Sequence, residues 1–174
     1  MTKPTVVALA FAILATAIAA RAQEGAGQER SRASAEITPY AFLGSNTSTG
    51  AGVAVRWPLA SPFSLELETS YRRAEIGGLS SNLSLLFDLP RVGPATPYLA
   101  CGVGLDQYGT AELQAGRVLA RERTAFSVNA GGGVRVQASQ NWGVRTDARW
   151  FNDIGTGPER WRLYNGVTFG GGKR

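Results

Sequence analysis

The stretch from Phe126 to Phe151 alternates apolar with polar or charged residues on both sides of a short turn, and this period of two is the strongest constraint on the fold. After the turn, every second residue from Trp142 to Trp150 is uncharged. The residues between them include Arg145, Asp147 and Arg149. Successive side chains of a strand point to opposite faces of a sheet. The stretch therefore predicts a β-hairpin with one apolar and one charged face.

Similar alternating segments recur at short intervals along the rest of the chain. They predict eight strands, at about residues 35–43, 51–57, 63–73, 79–89, 97–108, 124–137, 142–151 and 161–169. Short turns connect the strands on one side, at 58–62, 90–96 and 138–141, and generally longer loops connect them on the other, at 44–50, 74–78, 109–123 and 152–160. This arrangement is typical of bacterial outer-membrane barrels, whose short turns face the periplasm.

Aromatic residues recur at a spacing of eight on the uncharged parity, as in Phe63 with Tyr71 and Trp142 with Trp150. Eight residues of a tilted strand rise by roughly 20 Å, which approaches the height of the apolar band of an outer-membrane barrel, about 25 Å. We therefore expect the uncharged parity to face lipid and its aromatic residues to form girdles at both interfaces. The predicted membrane-girdle residues are Trp57, Phe63, Tyr71, Trp142, Trp150, Trp161 and Phe169.

The opposite parity carries six acidic and six basic residues, namely Glu36, Glu66, Glu68, Asp88, Asp106, Asp147, Arg56, Arg72, Arg135, Arg145, Arg149 and Arg162. An unpaired charge in a closed interior is costly, so a balance of this kind is expected of a lumen and not of a solvated face. The third and seventh strands lie opposite each other in a ring of eight. We therefore predict a structural charge cluster across the lumen, formed by Glu66, Glu68, Arg145, Asp147 and Arg149.

Glycines on the charged parity, among them Gly131 and Gly133, are expected to make room for these long side chains, because eight strands enclose only a narrow lumen. Alternation alone does not distinguish the inside of a barrel from its outside. A second arrangement therefore stays open, a secreted soluble barrel of the lipocalin kind with the apolar parity inside around a ligand.

Several motifs connect these strands to a known family. The Gly-x-Gly-Val run at 131–134, the Asn-Trp-Gly-Val turn at 141–144 and the Arg-x-Asp-x-Arg-Trp sequence at 145–150 resemble the sixth and seventh strands of that family, and Pro97–Gly104 resembles its fifth. Over roughly residues 34 to 170, the chain is similar to the OmpA-like transmembrane β-barrels of outer membranes. The resemblance implies an all-β, eight-stranded antiparallel up-and-down transmembrane β-barrel, but it indicates fold far better than function.

The chain departs from this family in two respects. We expect no peptidoglycan-binding domain after the barrel, and therefore not the tethering role of longer relatives. The last strand of the family usually ends on an aromatic residue that the barrel-assembly machinery recognises, whereas this chain ends in a glycine-rich segment, and Phe169 is the expected substitute.

The first 22 residues have the parts of a secretory signal peptide, with Lys3, an apolar run from Val6 to Ala20 and a small-x-small site that ends at Ala22. The apolar run is shorter than the roughly 20 residues that a transmembrane helix needs. We expect cleavage after Ala22, a flexible leader at 23–33 and a single barrel domain at 34–174.

The sequence contains no histidine and a single cysteine, Cys101. Ser-His-acid hydrolysis needs a histidine base, and zinc and copper sites use histidine and cysteine ligands. We therefore expect no catalytic residues, no cofactor and no metal. The formal charge is +5, but the arginines are interleaved with acidic residues and form no basic stripe, so we expect no nucleic-acid partner.

Together these features predict a structural outer-membrane β-barrel protein whose loops are exposed at the surface. The expected partners are outer-membrane lipid and, during biogenesis, the barrel-assembly machinery, and we expect a monomer in the outer membrane of a Gram-negative-type bacterium. A second hypothesis is adhesion or recognition of an extracellular ligand by the loop at 109–123, which carries Arg117, Arg121 and Arg123. A narrow pore is a third, disfavoured because crossing charges would fill the lumen.

Overall fold

The computed structural model describes residues 35–45, 48–73, 77–114, 117–154 and 159–170. The predicted signal peptide at 1–22 with its cleavage site at Ala22, and the leader at 23–33, lie outside the described residues. Within the described ranges, no helix is long and apolar enough to cross a bilayer.

Eight antiparallel strands form a closed ring, which confirms the predicted all-β barrel. The strands are β1 (Glu36–Gly44), β2 (Thr49–Ala60), β3 (Phe63–Arg73), β4 (Gly78–Asp88), β5 (Ala95–Gln114), β6 (Arg117–Gln137), β7 (Trp142–Asp153) and β8 (Arg160–Gly170). Each strand pairs with its neighbours in the sequence, and β1 also pairs with β8. The topology is therefore up-and-down, and the last pairing closes the sheet on itself.

The two parities face opposite sides of the barrel wall. Side chains of the charged parity point into the barrel, where Arg149 is 0% exposed and Asp147 is 1% exposed. Side chains of the uncharged parity point outward, and Leu43 and Trp161 are 60% and 58% exposed. This arrangement contradicts the lipocalin-like alternative, which required the apolar parity inside.

The connections alternate between two rims, as predicted. The short-turn rim carries the connections at 61–62, 89–94 and 138–141, and the other, which we call the long-loop rim, carries those at 45–48, 74–77 and 154–159. The predicted turn at 58–62 is shorter than expected, because β2 continues through Pro58 to Ala60 with a change of register at its end.

The segment at 109–123 corrects the sequence prediction, which assigned it to a loop. The backbone pairing of β5 with β6 continues from Gly109↔Glu122 to Gln114↔Arg117. The neighbouring strands end earlier, since β4 reaches only Tyr108 of β5 and β7 reaches only Ser127 of β6. Residues 109–114 and 117–122 therefore form a two-stranded ribbon, whose six β5 residues extend about 20 Å past the last pairing with β4.

Candidate functional site: the ion-paired lumen

The structure brings the five residues of the predicted charge cluster together in the middle of the lumen, and we call them the middle cluster. Arg145 on β7 donates from Nη2 to Glu66 Oε1 on β3 at 3.0 Å and also bonds Glu66 through Nη1. Its Nη2 lies 2.5 Å from Asp147 Oδ2. The two bonds to Glu66 join opposite walls of the barrel, because β3 and β7 are four strands apart in the ring.

Arg149 is the second cation of the middle cluster. Its Nη2 lies 2.6 Å from Glu66 Oε1 and 3.3 Å from Asp147 Oδ2, and its Nη1 lies 3.3 Å from Glu68 Oε2. Three carboxylates thus share two guanidinium groups, and all five side chains are nine-tenths buried or more.

Two tyrosines that the sequence analysis did not single out form hydrogen bonds with the middle cluster. The Tyr98 hydroxyl donates to Asp147 Oδ2 at 2.5 Å and accepts a hydrogen bond from Arg145 Nε at 2.6 Å. The Tyr164 hydroxyl donates to Glu68 Oε1 at 3.1 Å, which supplies Glu68 with a partner besides Arg149. Both tyrosines lie on the charged parity, and that parity was the sequence signal that could have identified them.

A second group of charges lies in the lumen near the short-turn rim. Arg56 donates to Asp88 Oδ2 at 2.6 Å and to Ser64 Oγ at 3.0 Å, and Arg135 bonds Glu36. Each of these four charged residues was predicted to face the interior, and each has an oppositely charged neighbour there.

A third group lies near the long-loop rim and includes two residues that sequence reasoning missed. Arg162 donates to Asp106 Oδ1 at 3.1 Å, Arg160 donates to Asp106 Oδ2 at 3.2 Å, and Arg160 also bonds Asp153. Asp153 and Arg160 fall in the segment predicted as a loop at 152–160. They continue the charged parity of β7 and β8 by one step, because both strands are longer than predicted.

Aromatic rings occupy much of the remaining lumen. Tyr40, Phe42, Phe151 and Tyr164 form a buried cluster with Ala54. The guanidinium carbon of Arg162 lies 4.3 Å from the centroid of the Phe151 ring, which is a cation–π geometry. A cavity of about 10 Å³ between Tyr40, Glu68 and Tyr164 has room for roughly one water molecule.

Glycines face two residues of the middle cluster across the β6–β7 pairing. Gly131 is the register partner of Arg149, and Gly133 is the register partner of Asp147. A Cβ atom added at Gly133 would lie 2.3 Å from the Asp147 Cβ and 2.4 Å from the Thr146 carbonyl oxygen. The absence of a side chain at Gly133 therefore allows Asp147 to occupy its position.

The predicted girdle residues lie on the outer wall in two rows. Trp142 is paired with Phe169 near the short-turn rim, and Trp150 is paired with Trp161 eight residues away along each strand. The Phe63 ring packs 5.3 Å from the Phe87 ring, between centroids, in the row of Trp142 and Phe169. Trp57 lies half-buried at the same end of the barrel, and Tyr71 lies exposed at the other end.

The chemistry available in the lumen is that of paired charges and hydroxyl groups. Among the described residues, no group of His, Cys, Asp or Glu side chains is arranged to hold a metal ion. Cys101 is exposed on the outer wall, away from the charged groups.

Comparison with known proteins shows similarity at the level of the fold. The N-terminal β-barrel domain of Pseudomonas aeruginosa OprF superposes with a TM-score of 0.65 at 15% identity, over 78% of this chain and 95% of that domain. Neisserial surface protein A gives a TM-score of 0.58 at 13% identity, over 78% of this chain and 93% of the other. Pseudomonas aeruginosa OprG gives 0.56 at 12% identity, over 78% and 94%.

The sequence matches no protein-family model and no curated protein. The superpositions cover almost the whole of these β-barrels, and OprG is described as an outer-membrane protein. The chain is therefore a closed eight-stranded antiparallel β-barrel with the fold of these outer-membrane barrels.

Proposed function

We propose that this chain is a structural protein of the bacterial outer membrane, exported through the signal peptide at 1–22 and without catalytic activity of its own. The observation that supports this proposal is the distribution of side chains across the wall. Exposed apolar residues cover the outside between two aromatic rows, and the charges are paired inside. If the two faces of the wall were exchanged, buried arginines such as Arg149 would lie in lipid, and each would destabilise the barrel by about 2–4 kcal/mol near the midplane.

The proposal assigns the two rims to the two sides of the membrane. Short turns face the periplasm in bacterial outer-membrane barrels, so the long-loop rim and the ribbon face the cell exterior. Outer-membrane lipid then covers the outward parity, with Trp142 and Phe169 at the inner interface and Trp150 and Trp161 at the outer one.

Expression in a Gram-negative host followed by membrane fractionation tests this proposal. We expect the chain in the outer-membrane fraction, shortened by cleavage after Ala22, and folded in SDS until it is heated, because a closed ladder offers no edge from which to unfold. Boiled and unboiled samples should then migrate differently. Recovery of the chain as a soluble periplasmic protein with no heat-dependent shift would refute the assignment, and modified lipid A in the expressing cells would refute the absence of catalysis.

The ribbon favours a second function, recognition of an extracellular ligand. Among the described residues, 109–114 and 117–122 pair only with each other, so this part of the sheet extends past the pairings with β4 and β7. Main-chain groups on such an edge can pair with another extended segment.

Proteolysis of intact cells tests whether the ribbon is accessible from outside. Trypsin should cleave after Arg117, Arg121 or Arg123, since these arginines lie in or next to the segment that extends past the pairings with β4 and β7. Cleavage that requires prior permeabilisation of the outer membrane would mean that the topology is inverted. Cells that express a variant with residues 109–122 replaced by a two-residue turn should lose any surface binding that the intact chain confers.

A further inference from the structure

Two hydrogen-bonded polar side chains, Thr146 and Asn165, lie on the outward face of the barrel, where apolar residues are expected. Thr146 is four residues from both Trp142 and Trp150, and Asn165 is four residues from both Trp161 and Phe169. Thr146 and Asn165 are also register partners, as are the two aromatic pairs on either side. The polar pair therefore lies halfway between the two aromatic rows, about 10 Å from each along the membrane normal.

The side-chain amide of Asn165 is only partly satisfied. Thr146 Oγ1 donates to Asn165 Oδ1 at 2.8 Å, and both side chains are exposed. Within the described part of the chain, Asn165 Nδ2 donates no hydrogen bond. At this depth in a bilayer there is no water to accept one, and an unsatisfied polar group in hydrocarbon is costly.

A second polar pair on the outer wall differs from this one in its depth and in its hydrogen bonding. Thr69 and Ser81 are register partners whose hydroxyl groups lie 3.4 Å apart. Thr69 is two residues from Tyr71, so this pair lies close to the aromatic row at the long-loop rim, within reach of headgroups and water. Its members are hydroxyl groups that can donate to one another, and neither carries an amide with two donors.

We propose that a second copy of this chain covers this surface and that the two barrels pair through Asn165. A carboxamide is both donor and acceptor, so a two-fold axis along the membrane normal lets Nδ2 of Asn165 in each copy donate to Oδ1 of Asn165 in the other. Each Oδ1 then accepts two hydrogen bonds, one from Thr146 of its own chain and one from the other chain.

The residues around Asn165 permit the approach that this contact requires. Its register partner on β1 is Ala41, which in turn pairs with Ala51 on β2, so the wall beside the amide is formed by methyl groups. Small residues at the contact let neighbouring backbones come close in lipid, where association depends on packing and hydrogen bonds. The proposal rests on the membrane location proposed above and replaces the monomer expected from the sequence.

Energy transfer between labelled copies in lipid vesicles tests the proposal. The mature chain, labelled at its amino terminus with donor or acceptor dye, is refolded into phosphatidylcholine vesicles over a range of protein-to-lipid ratios. We expect transfer that rises with protein density, and an association constant that falls about tenfold in Asn165→Leu, which removes the amide and keeps the apolar wall. Ser81→Ala, which removes a hydroxyl group of the other outward-facing pair, should associate like the unchanged chain.

The outcomes distinguish failure of the membrane location from failure of the dimer. Vesicle flotation and the heat-dependent shift in SDS establish that every variant is folded in lipid before transfer is measured. A chain that does not float with the vesicles would refute both the membrane location and the dimer. A chain that floats but shows no density-dependent transfer, or an Asn165→Leu variant that associates as well as the unchanged chain, would refute the dimer alone. Equal losses in Asn165→Leu and Ser81→Ala would also refute it, since the contact would not be specific to Asn165.

Discussion

Arg149 is the residue on which the balance of charge in the middle cluster depends most. Its guanidinium group is fully buried and lies within 3.3 Å of carboxylate oxygens of Glu66, Glu68 and Asp147. Replacement by Met keeps much of the volume but leaves the three acids of the middle cluster with one of the two arginines of that cluster, Arg145. We expect Arg149→Met to lower the free energy of unfolding by about 3–5 kcal/mol, because it leaves buried charges without a partner. Urea unfolding in lipid vesicles, followed by tryptophan fluorescence, measures this change.

Two further variants separate loss of the charge pair from loss of packing. Arg91→Met removes an exposed arginine from a turn at the short-turn rim and should change stability by about 0.5 kcal/mol or less. Adding Glu68→Gln to Arg149→Met removes one of the unpaired acids and should recover part of the loss. If Arg149→Met and Arg91→Met had equal effects, the middle cluster would not contribute to stability in the way proposed.

Sequence parity predicted the orientation of individual residues better than their partners. It correctly placed Glu66, Asp147 and Arg149 inside, because a one-residue shift of register would move every side chain to the other face. It did not identify Tyr98 as a hydrogen-bond partner of both Arg145 and Asp147. Parity gives the face of a residue, whereas its height in the lumen depends on the stagger between strands that are distant in the sequence.

Among the elements, the β5–β6 hairpin is where sequence reasoning failed. Alternation specifies a strand only where one of its faces is buried. Beyond Tyr108 and Ser127 neither β4 nor β7 pairs with the hairpin within the described residues, so no apolar periodicity was needed there. The segment from Gly109 to Arg123, with two glycines and several charged residues, was therefore assigned to a loop. The same reasoning explains the short predictions at the end of β7 and at the start of β8, which also lie at the long-loop rim.

The pairing of β6 with β7 provides a test at the level of the element. We expect Gly133→Val to destabilise the barrel by about 1–3 kcal/mol, the usual cost of overpacking. Its Cβ would lie 2.3 Å from the Asp147 Cβ and would displace the carboxylate from Tyr98 and Arg145. Ala130→Leu adds a larger group to the same strand but on the exposed outer face, and it should leave the urea midpoint nearly unchanged. Equal loss in the two variants would mean that β6 is sensitive to bulk on both faces.

For the whole molecule, the closed lumen predicts how the arginines react with a water-soluble reagent. Arg145 and Arg149 are held between carboxylates and are 9% and 0% exposed, whereas Arg73 and Arg91 are exposed near the two rims. In the folded barrel in detergent, phenylglyoxal should modify Arg73 and Arg91 promptly and spare Arg145 and Arg149. Heating in SDS should remove the difference, because it separates the hydrogen-bonded strands and exposes the side chains of the lumen.

The same closure predicts little or no ion conductance, which distinguishes a filled lumen from a narrow pore. Eight strands enclose an interior just wide enough for side chains, and here aromatic rings and three groups of ion pairs occupy it. Peptide mapping of the modified arginines and planar-bilayer recordings can be made on one preparation. Slow modification of Arg145 and Arg149 together with silent bilayers is the expected result. Steady single-channel currents, or modification of Arg149 as fast as that of Arg91, would show that water and ions pass the middle cluster.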